Sequence, residues 1–198
     1  MINMTIMWIN PSYVKKYATV MDNVDPKFIK SHILEAQNIE MHRILGGWMY
    51  DDMITEYINN NTTGATISTA YSTLVDEYIK PILLYYTVYY CMYDLYCKIT
   101  NKGIEVQSSD NSEPISESIL EKKKSSFKNL AENYAENLTN YLRQNQDDYP
   151  KWKSNDPDNP YRILPEKDTN YRTGMHFINS RSKSNRNRCI NFKNLRNI

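Results

Sequence analysis

A chain of 198 residues, 40% of them hydrophobic, has room for one domain or one domain with an extension, but cannot bury every segment. Three cysteines (Cys91, Cys97, Cys189) are too few for a disulfide framework at this length, and residues 1–10 lack the basic start, apolar run and cleavage site of a signal peptide. The net charge of +1 conceals a split: residues 172–198 carry seven Lys and Arg and no acid, and removing those seven leaves −6 on residues 1–171.

In chain order, a short helix with Ser12 as cap puts Tyr13, Val14 and Tyr17 on one face. Asp25-Pro26 is the first firm helix start, an N-cap followed by a proline where a backbone donor would be unpaired anyway. Phe28, Ile29, Ile33, Ala36, Ile39 and Ile44 then recur near helical spacing until Gly46-Gly47. Trp48, Met49, Met53, Ile54, Tyr57 and Ile58 predict another helix, ended by Asn59-Asn60-Asn61 and Gly64. Residues 69–99 are the most strongly patterned, with Tyr71, Leu74, Val75, Tyr78, Ile82, Tyr85, Tyr86, Tyr89, Met92, Tyr93 and Tyr96 on a period near 3.6. Pro81 removes a backbone donor, and the reading favours two helices with Pro81 in the first turn of the second.

Asn101-Lys102-Gly103 reads as a turn and residues 104–114 as extended. A long helix from about Ser116 to Gln144 follows, its buried stripe read as Leu120, Phe127, Leu130, Tyr134, Leu138 and Tyr141, with Ser118 and Glu121 spaced as a capping box. Beyond Asp147 the helical period ends, and four of the eight prolines (Pro150, Pro157, Pro160, Pro165) fall together. The expected organisation is therefore a mainly α fold: a compact bundle of about five helices over residues 1–145, and a long extended basic C-terminal arm over residues 146–198 that orders only against something else.

Chemistry-bearing groupings are few. Cys91 and Cys97, with His32 and His42, resemble metal ligands only in residue type, because the cysteine spacing puts them on different helix faces; buried, inert thiols are the expectation, with no metal and no cofactor. No nucleophile-and-base arrangement or phosphate-cradling glycine loop is present, which predicts a protein that is not an enzyme. Lys80, Asp94 and the tyrosine hydroxyls argue against residues 79–97 as a membrane span. Tyrosine, at 17 residues, suits contact surfaces that keep one polar end wet, and Trp48, Tyr50, Tyr86 and Tyr90 are the candidate subunit-interface residues.

The arm fits two kinds of partner. Arg181, Arg186 and Arg188 suit nucleic-acid phosphates, which makes a nucleic-acid-binding module the alternative function. Phe177-Ile178 and Ile190, Phe192 and Leu195 instead suit strand addition to a partner protein's sheet, and phosphate binding does not need those apolar side chains.

The order of several phrases along residues 5 to about 145 resembles the head–tail connector, or neck ring, proteins of tailed bacteriophages, most closely those of crAss-like phages. The phrases are Val24-Asp25-Pro26-Lys27-Phe28-Ile29-Lys30 leading into Ile33-Leu34-Glu35-Ala36-Gln37; Ile44-Leu45-Gly46; Leu74-Val75-Asp76-Glu77-Tyr78-Ile79-Lys80-Pro81; and Ile99-Thr100-Asn101-Lys102-Gly103-Ile104 followed by Ser109-Asp110-Asn111-Ser112-Glu113-Pro114. The resemblance implies a structural virion protein of the adaptor, or head-completion, type, made in the host cytoplasm. It implies a ring, usually of twelve copies, between the portal protein and other neck or tail proteins. Genomic DNA would be retained by that ring and pass through it without sequence-specific contact, and no membrane is involved. Related adaptors dock a C-terminal arm on the portal, which matches the arm here in position.

Overall fold

Asn10 accepts a hydrogen bond from the Tyr13 backbone N–H at 2.8 Å and Pro11 takes the first helical position, so α1 (Pro11–Tyr17) starts ahead of Ser12, the expected cap. The computed structural model describes residues 6–18, 20, 23–100, 103–106, 115–159 and 162–165. The chain divides into two units, residues 1–166 and 167–198, and every described residue belongs to the first.

Asp25 caps α2 (Pro26–Ala36) as the sequence predicts, accepting from the Lys27 N–H at 2.9 Å. A π turn (Gln37–Met41) joins α2 to α3 (His42–Leu45) without a break. Its buried positions are Gln37, Glu40 and Met41. Ile39, expected on the apolar face, is 51% exposed because it sits about a third of a turn away from it. Gln37 is polar yet 1% exposed: its amide accepts from the Trp8 N–H and donates to the Ile6 carbonyl, both at 3.0 Å. That pairing pins the apolar segment Ile6, Trp8 and Ile9 into the core.

Gly46 ends α3 with φ 77° and ψ 156°, a combination open essentially to glycine alone. α4 (Gly47–Thr63) follows at once and runs through the asparagine cluster that was expected to stop it. Gly64, left-handed at φ 71°, is the actual terminator. A β-carbon on Gly46 would lie 2.6 Å from Pro165 Cδ, whereas one on Gly64 meets nothing within 4 Å. Gly46→Ala should therefore lose more stability than Gly64→Ala in denaturant unfolding, where Gly64→Ala costs only about 1–2 kcal/mol for the left-handed backbone. Equal losses would mean that Pro165 does not sit against Gly46 in solution.

α5 (Thr69–Thr73), a second π turn (Leu74–Ile79) and α6 (Lys80–Tyr96) form one unbroken helix. The expected division at Pro81 does not occur. The π turn lies immediately before the proline, where its wider, i→i+5 spacing makes room for the ring and absorbs the missing donor. α6 is the central helix, packed chiefly on α7 (Glu117–Gln144) and α2. Between α6 and α7 in the chain, β1 (Cys97–Thr100) and β2 (Gly103–Val106) pair antiparallel, Cys97 opposite Val106 and Thr100 opposite Gly103. The chain is thus mainly helical, in five continuous helical runs plus this hairpin among the described residues. No helix among them is long and apolar enough to cross a membrane.

Ser116 holds the N-cap position of α7 without a side-chain capping bond; Ser118 lies inside the helix, and Glu121 pairs with Lys124 at 3.3 Å instead of closing a capping box. Its buried face is Leu120, Ala131, Ala135, Leu138 and Leu142, while Leu130 and Tyr134, expected inside, are 39% and 37% exposed. The alanines explain the shift: small side chains let α7 approach α6 closely and push the larger residues to the margin.

The segment after α7 corrects the expected boundary at 145/146. Tyr149 and Trp152 are core residues at 2% and 5% exposure, and Asp156 and Pro165 are buried as well. Tyr149 donates to the Ala70 carbonyl at 3.0 Å, and the Trp152 indole to the Ile44 carbonyl at 3.2 Å. Two aromatic anchors seat a segment that has no helical period. This strap, described over residues 149–159 and 162–165, belongs to the helical body.

Candidate interaction surface

On one side of α6, the π turn after α2 and α3 close a polar network. Glu40, 8% exposed, accepts from Arg43 Nε at 2.9 Å and from the Tyr90 hydroxyl at 2.8 Å. Arg43 also donates to the Tyr86 hydroxyl at 2.8 Å and reaches Glu132 of α7 at 3.5 Å. Burial, and for Tyr90 the hydrogen bond to the Glu40 carboxylate, push both tyrosine hydroxyls well above the usual phenol range. The network is a part-buried tie from the π turn and α3 to α6 and α7.

This placement decides the four residues expected at a subunit interface. Tyr86 is 1% exposed and Tyr50 5%, the latter with its hydroxyl donating to Asn38 at 2.9 Å and its ring edge-on to Trp8 at 5.5 Å. Both are core residues of the single chain and offer no face to a neighbour. Tyr90 is half-buried, as is Trp48, whose ring lies under Lys151 of the strap at 5.9 Å. The arm candidates Phe177, Ile178, Arg181, Arg186, Arg188, Ile190, Phe192 and Leu195 lie outside the described residues.

The metal-like residues do not converge. His32 is buried between Glu35 on Nδ1 and Asp94 beside Nε2, each at 3.2 Å, the latter without hydrogen-bond alignment. His42 donates to the Asn38 carbonyl at 2.7 Å and leans on the Tyr50 ring. Burial, then the charges of Asp94 and Glu35, push the Cys91 thiol up to about 12. Among the described residues no three His, Cys, Asp or Glu side chains gather as a metal-holding group.

Along the seam between α6 and α7 the aromatic residues reach solvent. Tyr78 stacks on Tyr141 at 4.3 Å, Tyr85 on Tyr134 at 5.5 Å and on Phe127 at 6.4 Å, and Lys124 sits over the rings of Tyr89 and Tyr93 at 5.2 and 5.0 Å. Leu130, Tyr134 and Tyr93 are exposed and the other rings half-buried. One helical period on each element generates the surface: Tyr78, Tyr85 and Tyr89 recur on α6 and its π turn, and Phe127, Tyr134 and Tyr141 on α7. The sequence reading had assigned Phe127, Tyr134 and Tyr141 of α7 to the buried stripe. Half-exposed tyrosine rings, apolar in body and polar at the tip, have the chemistry of a contact surface.

The strap forms the second feature. Lys151 pairs with Asp52, which also accepts from the Tyr71 hydroxyl at 2.7 Å. Arg162 bridges Asp51 at 3.2 Å and Asp156 at 3.1 Å, and the Gly47 N–H donates to the Ile163 carbonyl at 2.7 Å. A family model described as a family of unknown function, DUF6712, matches residues 41–162.

The chain belongs to the DUF6712 family. No curated protein and no solved structure matches it. The matched span of this DUF6712 chain opens at Met41 in the π turn and closes at Arg162 on the strap, so it includes both sides of the Asp51–Arg162 and Asp52–Lys151 pairs. The strap up to Arg162 therefore lies within the matched span, and Ile163, Leu164 and Pro165 follow it. Its sequence signals were the aromatic residues Tyr149 and Trp152 and the aliphatic pair Ile163-Leu164.

Proposed function

We propose that the chain is a non-enzymatic structural subunit of the neck of a tailed bacteriophage, a ring between portal and tail through which packaged DNA is held and later passes. The observation that carries this reading is the half-exposed tyrosine seam of α6 and α7, an extensive aromatic surface on a body whose core is already closed by Tyr86, Trp152 and Tyr149. Such surface is what subunits of a closed assembly need: large, amphipathic and not required for the fold of one copy. The resemblance of the ordered phrases to those of connector proteins favours a location in the virion neck, and the acidic body (−6 over residues 1–171) suits a channel along which phosphate slides without sticking.

Intact particles should contain the protein in many copies per virion, measured by mass spectrometry against the major capsid protein. Particles made without it should fill with DNA and fail to join tails in electron micrographs. One copy per particle, or none, overturns the reading.

A further inference from the structure

His32 is 6% exposed, with the Phe28 ring edge-on at 4.9 Å, yet a carboxylate oxygen stands 3.2 Å from each of its nitrogens. Glu35 of α2 faces Nδ1 and Asp94 of α6 faces Nε2. A neutral imidazole has one N–H and one lone pair. Donating to Glu35 through Nδ1, it turns the Nε2 lone pair toward a second carboxylate, and Nε2 is left buried without a hydrogen-bond partner. Only the imidazolium, with a proton on both nitrogens, satisfies both acids at once.

Asp94 calls for that charge on a second ground. It lies in the last turn of α6, at the negative end of the helix dipole, and this turn holds no basic side chain. One turn earlier, burial and then the charges of Asp94 and Glu35 push the Cys91 thiol up, so the spot carries a negative surplus. The other elements packed on α2 bring Lys15 and Lys16 on α1 and Glu40 in the π turn. Lys16 lies over the Tyr17 ring at 5.1 Å, and Glu40 is committed to Arg43 and the Tyr90 hydroxyl. Lys80, at the opposite end of α6, pairs with Asp76. On α2 itself stand Lys27 and Lys30, both exposed. Among the described residues the ion pairs of His32 run to Glu35 and Asp94 alone.

We propose that His32 is a proton-operated clasp between α2 and the end of α6. Charged, it ties both acids; neutral, it releases Asp94 and with it the last turn of α6, from which β1 runs directly. The clasp works within one chain and does not depend on the ring reading. Both carboxylates are about half exposed, 46% for Glu35 and 53% for Asp94, so solvent reaches the site and screens the tie. A change from near-neutral to mildly acidic surroundings therefore stiffens this end of the bundle by a modest factor and leaves the rest of the fold as it is.

Backbone amide exchange at residues 93–96 of the full chain, corrected for the intrinsic pH dependence of exchange, reads the opening of that turn. Between about pH 8 and about pH 5, protection there should rise about two- to fivefold, the range for a tie to a half-exposed acid. His32→Gln should abolish the step. Asp94→Asn keeps the buried imidazole and removes only the charge at a half-exposed site, and it should flatten the step equally. If His32→Gln fails to fold, Asp94→Asn decides alone. His42→Gln should retain the step in full, since His42 faces Asp51 on α4 and lies away from α6. Equal protection at both pH values in the parent, a step that survives Asp94→Asn, or one lost in His42→Gln overturns the inference.

Discussion

Trp152→Ala is expected to cost about 3–5 kcal/mol of unfolding free energy, the range for truncating a large buried aromatic. The indole is 5% exposed and is one of two aromatic anchors holding the strap to the helices. Its Nε1–H also donates to the Ile44 carbonyl at 3.2 Å, just before the Gly46 turn, so truncation opens a cavity and strips a buried acceptor together. Trp152→Phe keeps most of the volume and loses that bond, with an expected cost of about 1–2 kcal/mol for the stranded carbonyl and the smaller ring. Urea unfolding gives both numbers, and limited proteolysis supplies an independent reading: the alanine variant should be cut within residues 153–165 under conditions that leave the parent intact. A loss below about 1 kcal/mol for Trp152→Ala would mean that the strap is an appendage, as its proline content first suggested.

That misleading appearance marks where the sequence could and could not be read. The helices announced themselves where single residues dictate backbone geometry: Asp25-Pro26 as a start, Gly46 and Gly64 as stops. Hydrophobic period then located α2, α4, α6 and α7, because each buries one face and leaves the other wet. The reading failed where that signal was ambiguous. On α7 the core positions are taken by Ala131 and Ala135, whose small size hides them beside Leu130 and Tyr134, so the stripe was placed about a quarter-turn off. At Pro81 a π turn substitutes for a break, a choice made by tertiary packing, and the strap has no period because two aromatics and a set of ion pairs do the seating.

The candidate surface was legible in residue type and not in residue. Tyrosine excess pointed to contact surfaces, but a tyrosine's side depends on whether its hydroxyl finds an internal partner. Tyr50 and Tyr86 find Asn38 and Arg43 and go inside. Tyr134 and Tyr93 stack or cap at the margin and remain exposed. The paired positions that separate the two cases are 12 to 49 residues apart in the chain, so no local pattern encodes them.

The same tyrosines make the fold vulnerable to base. Burial raises the hydroxyls of Tyr71, Tyr86, Tyr90 and Tyr149 well above the ordinary phenol range and pushes Tyr57 up to about 12. Hydrogen bonds reinforce the burial where a phenolate would face a carboxylate, Tyr71 on Asp52 at 2.7 Å and Tyr90 on Glu40 at 2.8 Å. A phenol whose pKa is higher folded than unfolded keeps its proton in the native chain after the unfolded chain has released it. The stabilisation is complete below the unfolded value of about 10 and is lost progressively as pH rises through the folded values. Stability should therefore be flat toward pH 10 and then fall, by up to one proton's slope for each of the five groups. Phenolate absorbance should rise in two stages, the second coinciding with loss of helical circular dichroism. Tyr57→Phe removes one such proton where the hydroxyl makes no described hydrogen bond, so it should reduce the alkaline slope by about one proton without lowering stability at neutral pH. Ionisation of all the tyrosines together near pH 10, with helix content intact, would show that these rings are not held in the interior.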